Sequence, residues 1–182
     1  MTPCQVRDMM VPLSAYATVH EDATLIDAVM ALEKAQQIFD HDRYHHRAVL
    51  ILDSTGKVAG KLSQMDVLRA LEPRYAEMQG SDGLARYGFS KKFMKSMLVL
   101  NHLRESPLGE ICRKAGAKKV SDFMYPLTEG EFISGEAPID EAIHQLVLGQ
   151  HQSLLVTGDN DIVGILRLTD VFTELCHVMK QS

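Results

Sequence analysis

The chain carries the same three sequence blocks twice, in the same order, and this internal repeat limits the folds that it can adopt. The first block is 6–13 (VRDMMVPL), and its counterpart is 120–127 (VSDFMYPL). At the same offset, residues 19–32 align with residues 133–146. Recurrence of this kind indicates two copies of one structural unit.

The second block has the pattern of an amphipathic helix in both copies. Apolar residues recur at positions i, i+3, i+4 and i+7, which places them on one buried face of a helix. These residues are Leu25, Ala28, Val29 and Leu32 in the first copy and Ile139, Ala142, Ile143 and Leu146 in the second.

The third block predicts a β-hairpin followed by a second helix. Two short aliphatic runs flank a Gly-containing turn, which lies around 53–57 in the first copy and at 158–161 in the second. Each copy therefore has the order strand–helix–strand–strand–helix. Because one such unit is too small to bury its own sheet, we expect an α/β fold in which the copies pack face to face around a pseudo-two-fold axis.

The segment between the copies is too long for a bare loop in a compact protein. Apolar spacing predicts one helix over 90–103. A second, short helix is predicted with Ser106 as its cap, Pro107 at its first position and Gly116 at its end. The expected organisation is a first repeat over 1–72, an inserted helical connection over 73–118 and a second repeat over 119–182.

Composition and charge exclude several classes of protein. The chain is 46% hydrophobic and 24% charged, and its net charge of -5 argues against a general nucleic-acid binder. Its three cysteines are far apart and form no C-x-x-C pair, so neither a disulfide framework nor a zinc ribbon is predicted. No signal-peptide pattern and no apolar run long enough to span a membrane is visible. We expect a cytoplasmic protein without membrane contact.

The segment that follows each hairpin has the residue types of a nucleotide site. It reads GKLSQMD over 60–66 and GILRLTD over 164–170. Its glycine, Gly60 or Gly164, allows the backbone to approach a ligand closely. A strand that ends at a helix N-terminus offers free N–H groups that suit phosphate. The aspartate that follows can accept two hydrogen bonds from the vicinal diol of a ribose.

The same spacing also fits a purely structural role. Ser63 and Asp66 have the spacing of a helix capping box, and spacing alone favours that interpretation. In the second copy Arg167 cannot accept the N-cap hydrogen bond, yet Asp170 stands at the same place. Arginine suits anion recognition because of its fork geometry. A bound ligand therefore explains both copies more economically than a cap.

Taken together, these motifs resemble the tandem CBS-domain proteins (cystathionine-β-synthase domains), whose paired repeats form a Bateman module. The resemblance covers 6–72 and 120–178 and rests on the duplicated Val-x-Asp-x-Met-x-Pro-Leu motif and the duplicated Gly-to-Asp segment. It implies two β-α-β-β-α repeats with two clefts between them, here with a helical insertion. It also implies AMP, ADP or ATP as ligand, with S-adenosylmethionine as a further candidate, and a homodimer.

The resemblance also implies roles for individual residues. The two aspartates would hold ribose hydroxyls, with Ser63 and Arg167 near ribose or phosphate. His46 and Arg47, at the entry to the hairpin, would contact phosphate. Arg167 departs from the Ser/Thr of the family, which argues against equal occupancy of the two clefts. The candidate ligand-binding residues are Ser63, Asp66, Arg167, Asp170, His46, Arg47, Gly60 and Gly164.

We therefore expect a non-enzymatic regulatory module that binds an adenine nucleotide between its repeats and signals to an effector protein or through its dimer. The alternative is an interaction or structural module with empty clefts that acts through the inserted helical segment. Cys176 and His177 form no catalytic pair, because adjacent residues on a helix point in different directions.

A metal site is the other alternative that the sequence raises. His41, His45 and His46 lie close together with Asp42, and residues four apart share a helix face. The segment is polar, however, and is expected to be a solvated extension of the first helix. We therefore predict no metal.

Overall fold

The computed structural model describes residues 5–38, 45–71, 107–159 and 161–181. In the first repeat the elements are α1 (Val6–Met9), β1 (Val11–Pro12), a 3-10 turn (Leu13–Ala15), β2 (Thr18–His20), α2 (Leu25–Ile38), β3 (Ala48–Leu52), β4 (Val58–Ser63) and α3 (Gln64–Ala70). The following elements are α4 (Leu108–Gly116), a 3-10 turn (Val120–Asp122), β5 (Tyr125–Pro126), a 3-10 turn (Glu129–Glu131), β6 (Phe132–Ser134), α5 (Ile139–Gly149), β7 (Ser153–Gly158), β8 (Asp161–Arg167) and α6 (Leu168–Gln181).

Two four-stranded sheets form the framework, and their strand orders are equivalent. One has the order β2-β3-β4-β5 and the other β6-β7-β8-β1. In each sheet the first pair is parallel and joined through a helix, and the next pair is an antiparallel hairpin. The predicted α/β repeat with pseudo-two-fold symmetry is confirmed.

Each sheet takes its last strand from the other repeat. Val11 and Pro12 of β1 pair with Ile165 and Gly164 of β8. In the same way β5, from the second repeat, pairs with β4 of the first. This exchange joins the repeats by backbone hydrogen bonds as well as by side-chain packing.

The described residues form three apolar clusters. One lies between the first sheet and its helices, and a second lies between the second sheet and its helices. The third lies between the two repeats and contains Val11, Tyr16, Leu50, Leu155 and Ile165. A fully buried aliphatic side chain contributes roughly 1.5–3 kcal/mol, so this third cluster is a major stabiliser of the paired arrangement.

The connection between the repeats contributes to the first repeat. Helix α4 begins at Leu108 and ends at Gly116, close to the predicted bounds, and its Ala115 is buried in the first repeat's core. Pro107 occupies the N-cap, one position earlier than predicted, and has no side-chain cap hydrogen bond. Ser106 and the helix predicted over 90–103 lie outside the described residues.

Candidate ligand-binding site

In the first repeat, the junction between β4 and α3 is a capping box. The Ser63 backbone N–H and hydroxyl donate to Asp66 Oδ2 at 2.7 and 2.6 Å, and the Asp66 N–H donates to Ser63 Oγ at 3.3 Å. The capping interpretation of this spacing is therefore confirmed. The cap uses one carboxylate oxygen, Oδ2, and leaves Oδ1 to another donor.

Arg69 is the partner of the second Asp66 oxygen. Its Nη1 donates to Oδ1 at 3.0 Å and lies 3.3 Å from the hydroxyl of Tyr125 on the exchanged strand β5. The guanidinium also lies 5.7 Å from the centroid of that ring. The Arg69 side chain is 41% exposed. The sequence analysis missed both residues; the i, i+3 spacing of Arg69 from Asp66 was a usable signal.

In the second repeat, the corresponding junction is an ion pair. Arg167 Nε donates to Asp170 Oδ2 at 2.6 Å, and its Nη2 donates to Oδ1 at 2.6 Å. Only 5% and 7% of the two side chains are exposed. A parallel, charge-assisted pair of hydrogen bonds is the strongest contact that these groups form. An internal cation thus accounts for an aspartate that has no capping serine.

Two further side chains belong to the buried cluster around Arg167. Its Nη1 lies 3.2 Å from His46 Nδ1, and the Tyr16 ring packs edge-on against the imidazole with centroids 4.4 Å apart. Because a guanidinium only donates, Nδ1 is the acceptor and the imidazole proton is on Nε2. His46 is fully buried, so the expectation of a solvated segment is wrong at this residue, whereas the adjacent Arg47 is exposed.

The Tyr16 phenol is held in its neutral form. Burial raises its pKa from 10.0 to about 12. The charge of Asp170 adds to this rise, while the charge of Arg167 and a backbone hydrogen bond from Ala48 oppose it. Desolvation is the largest of these effects on the pKa, because burial removes the water that would stabilise the ionised phenol.

A second ion pair, between Lys61 and Glu131, joins the repeats on the side of the first junction. Lys61 Nζ lies 2.6 Å from Glu131 Oε1, and these side chains are 20% and 13% exposed. Burial acts to raise the pKa of Glu131, but the hydrogen bonds from Lys61 and from Thr128, with the Lys61 charge, outweigh it and lower that pKa. By alignment of the repeats, the residues equivalent to Lys61 and Glu131 are the apolar Ile165 and Ala17.

The two glycines of the motif have a packing role. A Cβ on Gly60 would lie 2.8 Å from Met124 Sδ and 3.2 Å from the Tyr125 carbonyl oxygen. A Cβ on Gly164 would lie 2.6 Å from the Val11 carbonyl oxygen. Both glycines therefore make room for the exchanged strands, whatever further role they have toward a ligand.

No group of three His, Cys, Asp or Glu side chains that could hold a metal ion occurs among the described residues. His41 and Asp42, from the alternative metal site, lie outside them. Within the same part of the chain, no helix is long and apolar enough to cross a membrane.

Both repeats match a known protein family. A model described as CBS domain matches residues 6–73 and 120–177, which is more than half of the chain. The chain belongs to the CBS domain family. The two matched regions are the two repeats, and the connection between them lies outside both. CBS-pair proteins are generally regulatory, non-catalytic modules, and no enzymatic family is indicated.

Solved structures of CBS proteins share the fold. The CBS-pair protein CBSX2 from Arabidopsis thaliana is 18% identical with a TM-score of 0.61, and all of each chain is covered. A structure of CBSX2 in complex with AMP is 18% identical with a TM-score of 0.59, covering 96% of this chain and 98% of that one. A protein from Mathanocaldococcus jannaschii is 17% identical with a TM-score of 0.59; the match covers 96% of this chain but 60% of that one.

At these identities the structural matches show the fold alone. The search of curated proteins finds no match to this chain.

Proposed function

We propose that this CBS pair is a non-catalytic sensor that binds an adenine nucleotide at the cleft marked by Asp66. AMP, ADP and ATP are the proposed ligands, and S-adenosylmethionine is the competing adenine compound. The observation that carries the proposal is the state of the Asp66 carboxylate. It is positioned by a capping box, and within the described part of the chain its Oδ1 accepts one hydrogen bond, from an arginine that is 41% exposed.

The surrounding residues suit a nucleoside phosphate. A ribose diol would replace Arg69 on Oδ1, because a half-exposed guanidinium can move into water without leaving a buried charge. Arg69 would then be available to the phosphate. Arg47 supplies a second exposed cation near the start of α3. Its position is fixed there because its carbonyl oxygen accepts a hydrogen bond from the N–H of Gln64, the first residue of α3. The AMP bound to CBSX2, a protein of the same fold, supports the choice of ligand.

Transmission of the signal is proposed to be a shift between two arrangements of the repeats. A ligand can move such an equilibrium only by the difference in its affinity for the two states. The Lys61–Glu131 ion pair connects the repeats on the side of Asp66. A nucleotide that rearranges this side would therefore change how the repeats meet, and an effector protein or the dimer contact would detect the change.

We also propose that the protein forms a homodimer through the second helix of each repeat, α3 and α6. Leu68 on α3 and Phe172 on α6 occupy equivalent positions in the two repeats and are 59% and 56% exposed. Met65 is 55% exposed one turn earlier on α3. Sedimentation equilibrium should show a dimer that Leu68→Glu with Phe172→Glu converts to monomer, and a wild-type monomer would contradict the proposal.

A thermal-shift titration with AMP, ADP, ATP and S-adenosylmethionine tests the ligand assignment. A ligand at a hundred times its Kd adds about 2.7 kcal/mol, or roughly 5–10 °C for a chain of this size. Asp66→Asn should abolish the shift. Asp27→Asn is the matched control, because Asp27 makes the same capping box with Thr24 on the exposed side of α2. Its shift should equal that of the wild type.

The absence of any shift in the folded wild type would contradict the nucleotide proposal. The interaction module, with empty clefts and the 73–118 connection as its working surface, would then be the better description. An equal loss of the shift in both variants would assign the effect to helix capping instead of ligand contact.

A further inference from the structure

The two junctions of the repeats differ in the residue that faces the aspartate. The first has Ser63 and the second Arg167, at the same position of the repeat. Ser63 leaves Asp66 Oδ1 to a half-exposed arginine, whereas Arg167 takes both oxygens of Asp170 at 2.6 Å. The ribose diol proposed for Asp66 binds at Oδ1, and the Oδ1 of Asp170 is held by a buried guanidinium instead.

The burial of Arg167 makes this contact hard to exchange. Its side chain is 5% exposed, against 41% for Arg69. Removing one partner of a buried ion pair leaves an uncompensated charge away from water, which is strongly unfavourable. Arg167 also contacts His46, which is itself fully buried, so it has a second attachment on the other repeat.

A neighbouring position also differs between the two repeats. Tyr16 is 7% exposed and packs on His46, and its equivalent in the second repeat is Gly130. A large side chain therefore fills one cleft at a place where the other has no side chain. Arg167 and Tyr16 thus add charge and volume at this junction that Ser63 and Gly130 do not add at the first.

We propose that the Asp170 cleft is closed by the chain's own Arg167, so that the protein binds one nucleotide per chain, in the Asp66 cleft. Arg167 acts there as an internal ligand: its guanidinium satisfies the carboxylate, and the second repeat becomes a fixed support for the first. The proposed stoichiometry rests on the proposed function, whereas the proposed closure of the Asp170 cleft is independent of it.

Isothermal titration with AMP, combined with exchange of the two residues, tests this closure. The wild type should bind about one equivalent per chain, and Arg167→Ser, which copies the first junction, should bind about two. Adding Asp170→Asn to Arg167→Ser should return the value to about one. The reciprocal change, Ser63→Arg, should abolish binding of AMP while far-UV circular dichroism shows an unchanged fold.

Each result decides the proposal. A wild type with two sites, one of them lost in Asp170→Asn, would overturn it, as would a folded Arg167→Ser protein with no additional site. If Arg167→Ser does not fold, Ser63→Arg decides: loss of binding supports the closure and retained binding overturns it. If the wild type binds no AMP, the proposed function fails, and an Asp170-dependent site gained in Arg167→Ser still supports the closure.

Discussion

Lys61 Nζ lies 2.6 Å from Glu131 Oε1, and this contact joins β4 of the first repeat to the turn that precedes β6 of the second. Both side chains are mostly buried. A second pair, Lys57 with Asp161, also connects the repeats, at 2.9 Å, but its side chains are 67% and 63% exposed. The chain thus offers a mostly buried and an exposed version of the same contact.

The mostly buried Lys61–Glu131 pair should stabilise the fold measurably, whereas the exposed Lys57–Asp161 pair should not. We expect Glu131→Gln to lower the free energy of unfolding at neutral pH by about 1 kcal/mol, and Lys57→Met to change it by less than about 0.5 kcal/mol. Urea denaturation measures both. Equal effects of the two variants would contradict the difference in burial.

The Glu131 contribution should also depend on pH. Because the folded-state pKa of Glu131 is lowered from 4.5, its stabilisation is present above that value and is lost as the pH falls through the lowered pKa. The difference between the wild type and Glu131→Gln should therefore shrink at acid pH. A difference that stays constant down to strongly acid pH would contradict the assignment.

Because the exchanged strands approach Gly164 and Gly60 differently, replacing each glycine by alanine should reduce stability by different amounts. Gly164→Ala should destabilise the protein by about 1–3 kcal/mol, because its Cβ would meet a backbone oxygen of β1 at 2.6 Å. Gly60→Ala should be milder, since its nearest neighbour is the flexible Met124 thioether at 2.8 Å. Thermal denaturation of both variants measures the order.

Gly109 on α4 is the control for this comparison. A Cβ there would meet nothing within 4 Å, so Gly109→Ala should stabilise the helix by up to about 1 kcal/mol. If Gly164→Ala is as well tolerated as Gly109→Ala, the close approach of β1 to β8 is wrong.

Tyr16 should reduce stability at alkaline pH. The unfolded chain loses its phenol proton near pH 10.0 and the folded chain near 12, so folding is disfavoured as the pH rises through this window. The wild type should lose up to about 1.4 kcal/mol per pH unit there relative to Tyr16→Phe. Urea titrations of both proteins from about pH 8 to about pH 11 test this. Parallel curves would contradict a buried phenol.

Local patterns predicted the elements but not their exchange. The helix at Leu25 and the hairpins were readable because apolar periodicity and turn residues act over a few neighbours. The pairing of β1 with β8 was not, because each exchanged strand has only two residues and its partner lies far along the chain. The glycine at position 164 was noticed, but its neighbour could be known only from the fold.

The candidate site shows the same limit. Asp66 and Asp170 were found from the repeat, and the Ser63 cap follows from spacing. The Arg167–Asp170 pair was within reach, because the residues are three apart on one helix start. The burial of His46 against Arg167 depends on a contact between the repeats, which no local pattern encodes.

The crystal structure of this protein with saturating AMP is the most direct test of the central proposal. We expect one nucleotide per chain, with ribose hydroxyls on Asp66, Arg69 displaced from Oδ1 and the Arg167–Asp170 pair intact. Ribose bound to Asp170 with Arg167 displaced, or clefts that stay empty at saturating AMP, would contradict it.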